Sequence, residues 1–97
     1  MSGIIRVTPG ELVSMSTRYS NESGQVAEQI NRLNGMIQEL QGMWEGESSR
    51  AFSNQYEQLR PSFIQMQELL QQISTQLAST AKALEDADQQ IASQIRG

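Results

Sequence analysis

Apolar residues in the first half of the chain recur at heptad spacing, which predicts one long amphipathic helix. One row repeats every seven residues, and a second row lies three or four residues away, so the two rows form one stripe along a helix. The rows contain Leu12, Tyr19, Val26, Leu33 and Leu40, and Ile30, Ile37 and Trp44, with Ser16 and Ser23 continuing the second row toward the N-terminus. We place this helix at about residues 8–43.

The start of this first helix is marked by the sequence Thr8-Pro9-Gly10-Glu11. Thr8 is suited to the N-cap position and Pro9 to the first helical position, where its missing N–H group costs no hydrogen bond. Glu11 can reach back to the Thr8 backbone and complete a capping box. The four residues together therefore predict a sharp helix start.

A second apolar stripe begins at Phe52 and again alternates steps of four and three residues. Ser48 or Ser49 can cap its start, so we place this helix at about residues 49–95. Pro61 removes one backbone hydrogen bond, but the stripe keeps its phase across it, which predicts a kinked, continuous helix. A break at Pro61, giving three helices, is the alternative. The stripe consists of Phe52, Tyr56, Leu59, Phe63, Met66, Leu70, Ile73 and Leu77, and Leu84, Ile91 and Ile95 continue it.

The single tryptophan of the chain lies between the two stripes, in the sequence QGMWEGESS. Two long helices joined by a short loop form an antiparallel hairpin, which puts the turn at about residues 44–48. Trp44 then folds over the start of the second helix near Phe52, and Gly46 or Gly42 supplies the left-handed backbone that ends a helix. The sequence thus predicts an all-α fold with one helical-hairpin domain over residues 1–97.

A two-helix hairpin has no enclosed core, and small domains with that deficit usually associate. Two hairpins packed together form a four-helix bundle. We therefore expect a homodimer, or a heterodimer with a related hairpin.

The second helix is predicted to be longer than the first, so its end has no partner within the hairpin. Folding the chain at residue 46 pairs Thr8 with a position near residue 83 or 84 and leaves LEDADQQIASQIRG overhanging. Leu84, Asp88, Ile91 and Ile95 are spaced by four, three and four residues, which places one acid within an apolar stripe. A buried unpaired carboxylate is costly, so this stripe is expected to be open or to await a partner.

The composition of the chain excludes most kinds of catalytic and metal-binding site. The chain has no cysteine and no histidine, so disulfides, thiolate nucleophiles and His-ligated metal sites are excluded, and we expect neither an enzyme nor a cofactor. Its net charge of −4 disfavours nucleic-acid partners. The chain has no apolar run of about 18 residues for stable membrane insertion and no basic and apolar start typical of a cleavable signal peptide.

Trp44-Glu45-Gly46 at the turn between two heptad helices, in a chain of about 100 residues, resembles the WXG100 (ESAT-6-like) family. This family consists of small helical proteins secreted by type VII (ESX/Ess) systems. Its C-terminal pattern is hydrophobic-x-x-x-Asp/Glu-x-x-hydrophobic-x-x-x-hydrophobic, which Leu84, Asp88, Ile91 and Ile95 match. Many members carry tyrosine at the first of these places, where this chain has leucine.

The resemblance implies a dimer of antiparallel hairpins in which the turn of one subunit lies beside the tail of the other. Trp44 and Gly46 would then form a composite secretion signal with the partner's Leu84, Asp88, Ile91 and Ile95. The implied receptor is a membrane-anchored FtsK/SpoIIIE-type ATPase, and the implied function is that of an export substrate and carrier, extracellular after leaving the cytoplasm. The alternative is an intracellular scaffold that docks partners through its overhang.

Overall fold

The computed structural model describes residues 7–96, and these residues form two long α-helices that pack side by side. Helix α1 spans Pro9–Met43 and helix α2 spans Glu47–Arg96. The chain reverses direction over residues 44–46, and the antiparallel pair is a rod with extents of 77 × 26 × 15 Å. The prediction of an all-α antiparallel hairpin is confirmed, and the described residues contain no strand. That residues 1–97 form one domain stays a prediction, because residues 1–6 and 97 lie outside the described range.

Helix α1 begins as its capping sequence predicts. The backbone N–H of Glu11 donates a hydrogen bond of 3.1 Å to Oγ1 of Thr8, and Pro9 occupies the first helical turn. The Thr8 carbonyl also accepts from the N–H of Leu12 at 3.1 Å. Thr8 is therefore the N-cap, while the return contact from the Glu11 side chain stays a prediction.

Helix α2 begins earlier than its serines suggest. The carbonyl of Gly46 accepts a hydrogen bond of 3.2 Å from the N–H of Arg50, so Gly46 precedes the first helical residue, Glu47. The prediction of Ser48 or Ser49 as the N-cap is wrong. Glycine is an acceptable N-cap, and its freedom at positive φ lets the chain reverse in fewer residues than expected.

Polar side chains connect the two helices at several levels. The Ser16 hydroxyl donates to the Ser74 carbonyl and the Ser74 hydroxyl donates to the Ser16 carbonyl, each over 2.7 Å. The Ser23 hydroxyl donates to the carbonyl of Gln67 over 3.0 Å. The remaining links are from the Tyr56 hydroxyl to Oδ1 of Asn34 at 2.5 Å, and from Nε2 of Gln41 to Oγ of Ser53 at 2.8 Å. Ser16, Ser23 and Ser74 are buried, so small hydroxyl side chains close the interface between the helices.

The apolar stripe of α2 divides between two sides of the helix. One row lies at the edge of the contact with α1 and is half-buried, whereas Phe52, Leu59 and Met66 are exposed beside it. These three residues therefore do not lie in the single seam facing α1 that the sequence predicted. Serine, glutamine and alanine residues of α2 contact α1 instead. The half-buried row contains Tyr56, Phe63, Leu70 and Leu77, and the row beside it that contacts α1 contains Ser53, Arg60, Gln67, Ser74 and Ala81.

Helix α2 runs through Pro61 without interruption, so the alternative of three helices is wrong. The proline removes a single donor from a helix of 50 residues, and packing on either side keeps the two halves in phase. A bend of the helix axis at Pro61 stays a prediction.

Replacing Ser74 with alanine is expected to lower the free energy of unfolding by about 1 kcal/mol, because the carbonyl of Ser16 loses a buried hydroxyl donor. The matched control is Ser79→Ala, which makes the same change of helix propensity at an exposed position of α2. Urea unfolding followed by circular dichroism, at one fixed protein concentration, measures the difference. Equal unfolding midpoints for the two variants would contradict the expectation.

Candidate functional site

Trp44 ends α1 and packs against the start of α2. Its backbone is extended at φ −124°, and its N–H donates to the carbonyl of Leu40 over 2.8 Å, so Trp44 itself is the C-cap of α1. The ring centroids of Trp44 and Phe52 are 5.9 Å apart with the planes tilted by 48°, which confirms the predicted contact. Trp44 nevertheless stays 38% exposed. It is therefore a surface aromatic at the turn rather than a buried plug.

Gly46 provides the backbone geometry of the turn. Its φ is +115°, a conformation that side-chain-bearing residues rarely adopt, whereas Gly42 lies within α1. The left-handed position thus falls at Gly46, and it initiates α2 rather than ending α1. Glu47 and Arg50 form an exposed ion pair of 2.7 Å in the first turn of α2, beside a shallow cleft that Trp44 and Ser49 line.

The tail of α2 extends beyond α1. The register of the cross-helix hydrogen bonds places Pro9 level with Ala81, which is 2% exposed and is the last buried position of α2 among the described side chains. Residues 82–95 are all exposed. This overhang begins one or two residues earlier than predicted, because the shorter turn shifts the pairing of the helices.

The four predicted tail residues lie in this overhang and remain uncovered by the described part of α1. Leu84 and Ile91 are exposed, Ile95 is 80% exposed, and the side chain of Asp88 is exposed between them. Lys82 forms an ion pair with Asp86 at 3.3 Å. The tail therefore presents an apolar stripe that Asp88 interrupts.

The structure does not bring the two halves of the predicted site together within one chain. Gly46 and Asp88 lie near opposite ends of α2, roughly 60 Å apart at 1.5 Å per residue. Trp44 and Gly46 therefore cannot meet Leu84, Asp88, Ile91 or Ile95 of the same chain. A composite site made from both halves requires a second molecule, and its formation stays a prediction.

One side of the hairpin carries a broad apolar surface that was not among the predicted site residues. A groove on it is lined by Val26, Ile30, Leu33, Phe63 and Met66, with Gln29 completing the wall. We call this side the apolar face. It comprises Met15, Tyr19, Val26, Leu33, Met36, Leu40 and Met43 of α1 and Phe52, Leu59, Phe63, Met66 and Ile73 of α2.

The heptad rows from which the apolar face is drawn are almost free of charge. On α1 they are 15-22-29-36-43 and 19-26-33-40, and on α2 they are 52-59-66-73 and 56-63-70-77; Glu22 is the one charged residue among them. The signal was present in the sequence, because Met15, Met36 and Met43 repeat beside the row containing Leu33. It could be assigned to an open surface only when the positions contacting α2 were known.

Two further observations on the described residues concern metal binding and membrane crossing. Residues 7–96 contain no group of three or more acidic, cysteine or histidine side chains arranged to hold a metal ion. None of the helices in the same range is long and apolar enough to cross a membrane.

A helical hairpin with Trp-x-Gly at its turn and an uncovered C-terminal tail defines a class of small helical proteins. Residues 4–89 match the family WXG100, described as "Proteins of 100 residues with WXG", and the chain belongs to this family. The resemblance inferred from Trp44-Glu45-Gly46 is thereby confirmed.

Known proteins similar to this chain cover almost all of it. Protein YukE of Bacillus subtilis (strain 168) is 58% identical over 97 residues, which is 100% of both chains. Type VII secretion system extracellular protein A of Staphylococcus aureus (strain USA300) is 33% identical over 88 residues, or 91% of each chain. The crystal structure of Geobacillus thermodenitrificans EsxA matches with a TM-score of 0.86 at 54% identity, covering 94% of this chain and 100% of that one.

Substitutions of the two glycines near the turn are expected to have opposite effects. Gly46→Ala should lower the free energy of unfolding by at least about 1 kcal/mol, because alanine is strained at positive φ. Gly42→Ala should raise it by up to about 1 kcal/mol, because alanine favours a helix interior. A Cβ atom at either position meets no atom within 4 Å, so the difference in unfolding free energy between the two variants reports the effect of backbone conformation. Chemical unfolding measures both variants, and a stabilised Gly46→Ala protein would contradict the assignment.

Proposed function

We propose that this protein is a non-enzymatic substrate of a type VII secretion system that leaves the cell as a homodimer and carries partner substrates with it. A relative that covers 91% of this chain is named a type VII secretion system extracellular protein, which supports export. The observation on which the proposal chiefly rests is the exposed tail at residues 82–95, whose apolar side chains have no partner in the described part of α1. Export places the protein outside the cell after a cytoplasmic stage.

The apolar face is the surface that the second copy covers. Buried apolar residues are scarce in the hairpin, with Ile30 and Ala81 the two among the described residues, so most of its large hydrophobic side chains remain available for association. A nearly uncharged face also meets its own copy without like-charge repulsion. Selective heterodimers generally use charge patterns to reject the wrong partner, and the rows of this face carry only Glu22. These features favour a homodimeric four-helix bundle over a heterodimer.

An antiparallel arrangement of the two copies brings together the two halves of the predicted site, which lie far apart within one chain. Trp44 and Gly46 lie at one end of the rod and the tail lies at the other, so a two-fold axis near the middle of the rod brings each turn beside the partner's tail. Each end of the dimer then carries one composite surface. Its components are Trp44 and Gly46 of one protomer and the partner's Leu84, Asp88, Ile91 and Ile95.

Recognition of this composite surface fits the chemistry of a helix bound in a groove. Leu84, Ile91 and Ile95 provide apolar anchors on one side of a helix, and Asp88 adds a charge that fixes its register. The proposed receptor is an FtsK/SpoIIIE-type ATPase of the secretion system. An intracellular scaffold that uses the same tail for docking is the second candidate, since tail exposure also supports it.

Asp88→Ala is expected to reduce secretion at least tenfold, because the receptor loses the one charge within the apolar stripe. The matched control is Asp86→Ala, which removes an acid of the same tail that is paired with Lys82. Immunoblots of culture supernatant and cell lysate from a host with an active type VII system measure the ratio. Normal secretion of Asp88→Ala would contradict a role of Asp88 in the secretion signal. Wild-type protein confined to the cytosol would favour the function of an intracellular scaffold.

Mixed dimers test whether the signal is composite. Trp44→Ala and Asp88→Ala chains produced separately are each expected to be retained, because every homodimer has two defective ends. Co-expression forms heterodimers in which one end combines an intact turn with an intact tail, so secretion of both chains should recover. Circular dichroism of each variant confirms that it is helical. Retention of both chains on co-expression, with heterodimers demonstrated by pull-down, would contradict a signal assembled from two protomers.

A further inference from the structure

The methionines of the described residues share one surface. Met15, Met36, Met43 and Met66 all lie on the apolar face, and all are exposed in the single hairpin. Methionine is flexible and polarizable, which suits it to an interface, but its thioether is also readily oxidised. The chain has no cysteine, so thiols do not compete for an oxidant. A surface built to exclude water thus contains the oxidisable sulfur atoms.

Met66 has the most consequential position among the four. It lines the groove with Val26, Leu33 and Phe63, and it is 55% exposed before a partner covers it. Met43 is 77% exposed but belongs to the last residues of α1, beside the turn. Both methionine residues are therefore exposed to oxidant in the free hairpin, but only Met66 lies in the groove.

Oxidation at this position changes the polarity of the groove. A peroxide transfers one oxygen atom to the thioether sulfur, giving methionine sulfoxide, while hydrogen peroxide is reduced to water. The sulfoxide oxygen is a hydrogen-bond acceptor, and the groove offers it Gln29 as the only polar lining residue. Covering that oxygen with a second apolar face removes its water and leaves the Gln29 amide as the one side-chain donor on the groove, which opposes association.

We infer that Met66 is an oxidation-sensitive site at which peroxide-class oxidants release the second copy from the apolar face. The inference rests on the proposed homodimer. Oxidation acts on the free hairpin, where Met66 is accessible, and the sulfoxide then blocks reassociation. The modification is reversible, because methionine sulfoxide reductases regenerate the thioether. Association of the two copies thereby depends on the oxidants outside the cell.

The full-length chain, treated with hydrogen peroxide at a concentration where monomer and dimer are both present, tests this directly. Peptide mass spectrometry assigns sulfoxide to each methionine, and sedimentation equilibrium measures the dimer dissociation constant. Conversion of Met66 is expected to raise that constant roughly tenfold or more. Subsequent reduction by methionine sulfoxide reductases should restore it.

Three substitutions test the role of Met66 against that of another methionine. Met66→Leu should dimerise and keep its dissociation constant after peroxide treatment, whereas Met43→Leu should respond as the wild type does. Met66→Gln, which places an amide of similar length in the groove, should weaken the dimer without any oxidant. Circular dichroism verifies that each variant remains helical.

The possible results separate a failure of the Met66 inference from a failure of the proposed homodimer. A monomeric untreated protein at all concentrations would overturn the homodimer and the inference together. An unchanged dissociation constant after complete oxidation of Met66 would overturn only the inference. So would resistance of Met66 to peroxide in the dilute monomer, or equal peroxide sensitivity of Met66→Leu and the wild type.

Discussion

The close packing of two helices through small hydroxyl side chains is the constraint on which the rest of the molecule depends. Ser16 and Ser74 exchange hydrogen bonds with each other's backbone carbonyls, and Ser23 bonds the carbonyl of Gln67 in the same manner. Such contacts require little apolar area, so several large hydrophobic residues, including Leu59 and Met66, are not needed to close the hairpin. They lie instead along one outer side, where burial by another molecule can provide the larger stabilisation.

The turn sets the register in which the two packed helices are aligned. Gly46 allows the chain to reverse within three residues, and that short reversal sets which residues of α1 and α2 are level with each other. The same register fixes Ala81 as the last covered position and therefore sets where the exposed tail begins. One glycine conformation thus determines the length of the segment that the proposed secretion receptor would bind.

Local sequence signals predicted much of the fold. The Thr8 cap, the heptad rows of α1 and the contact between Trp44 and Phe52 each follow from interactions within a few residues or from helical periodicity. The α2 start and the role of Ser74 did not follow. Serine is a common N-cap and is usually polar surface, so its preference pointed to Ser48 or Ser49 and away from a buried interface. Gly46 at positive φ starts α2 instead, and tertiary packing buries Ser74.

The sequence by itself determined that the chain is two long amphipathic helices reversing at Trp44-Glu45-Gly46, because helical periodicity and capping are local properties. It also determined that residues 84–95 carry an apolar stripe containing Asp88. Only the tertiary structure decided which heptad row closes the hairpin and which remains open. Adjacent rows on one helix are similar in sequence, and the choice between them depends on how closely the second helix approaches, which small residues permit and large ones prevent.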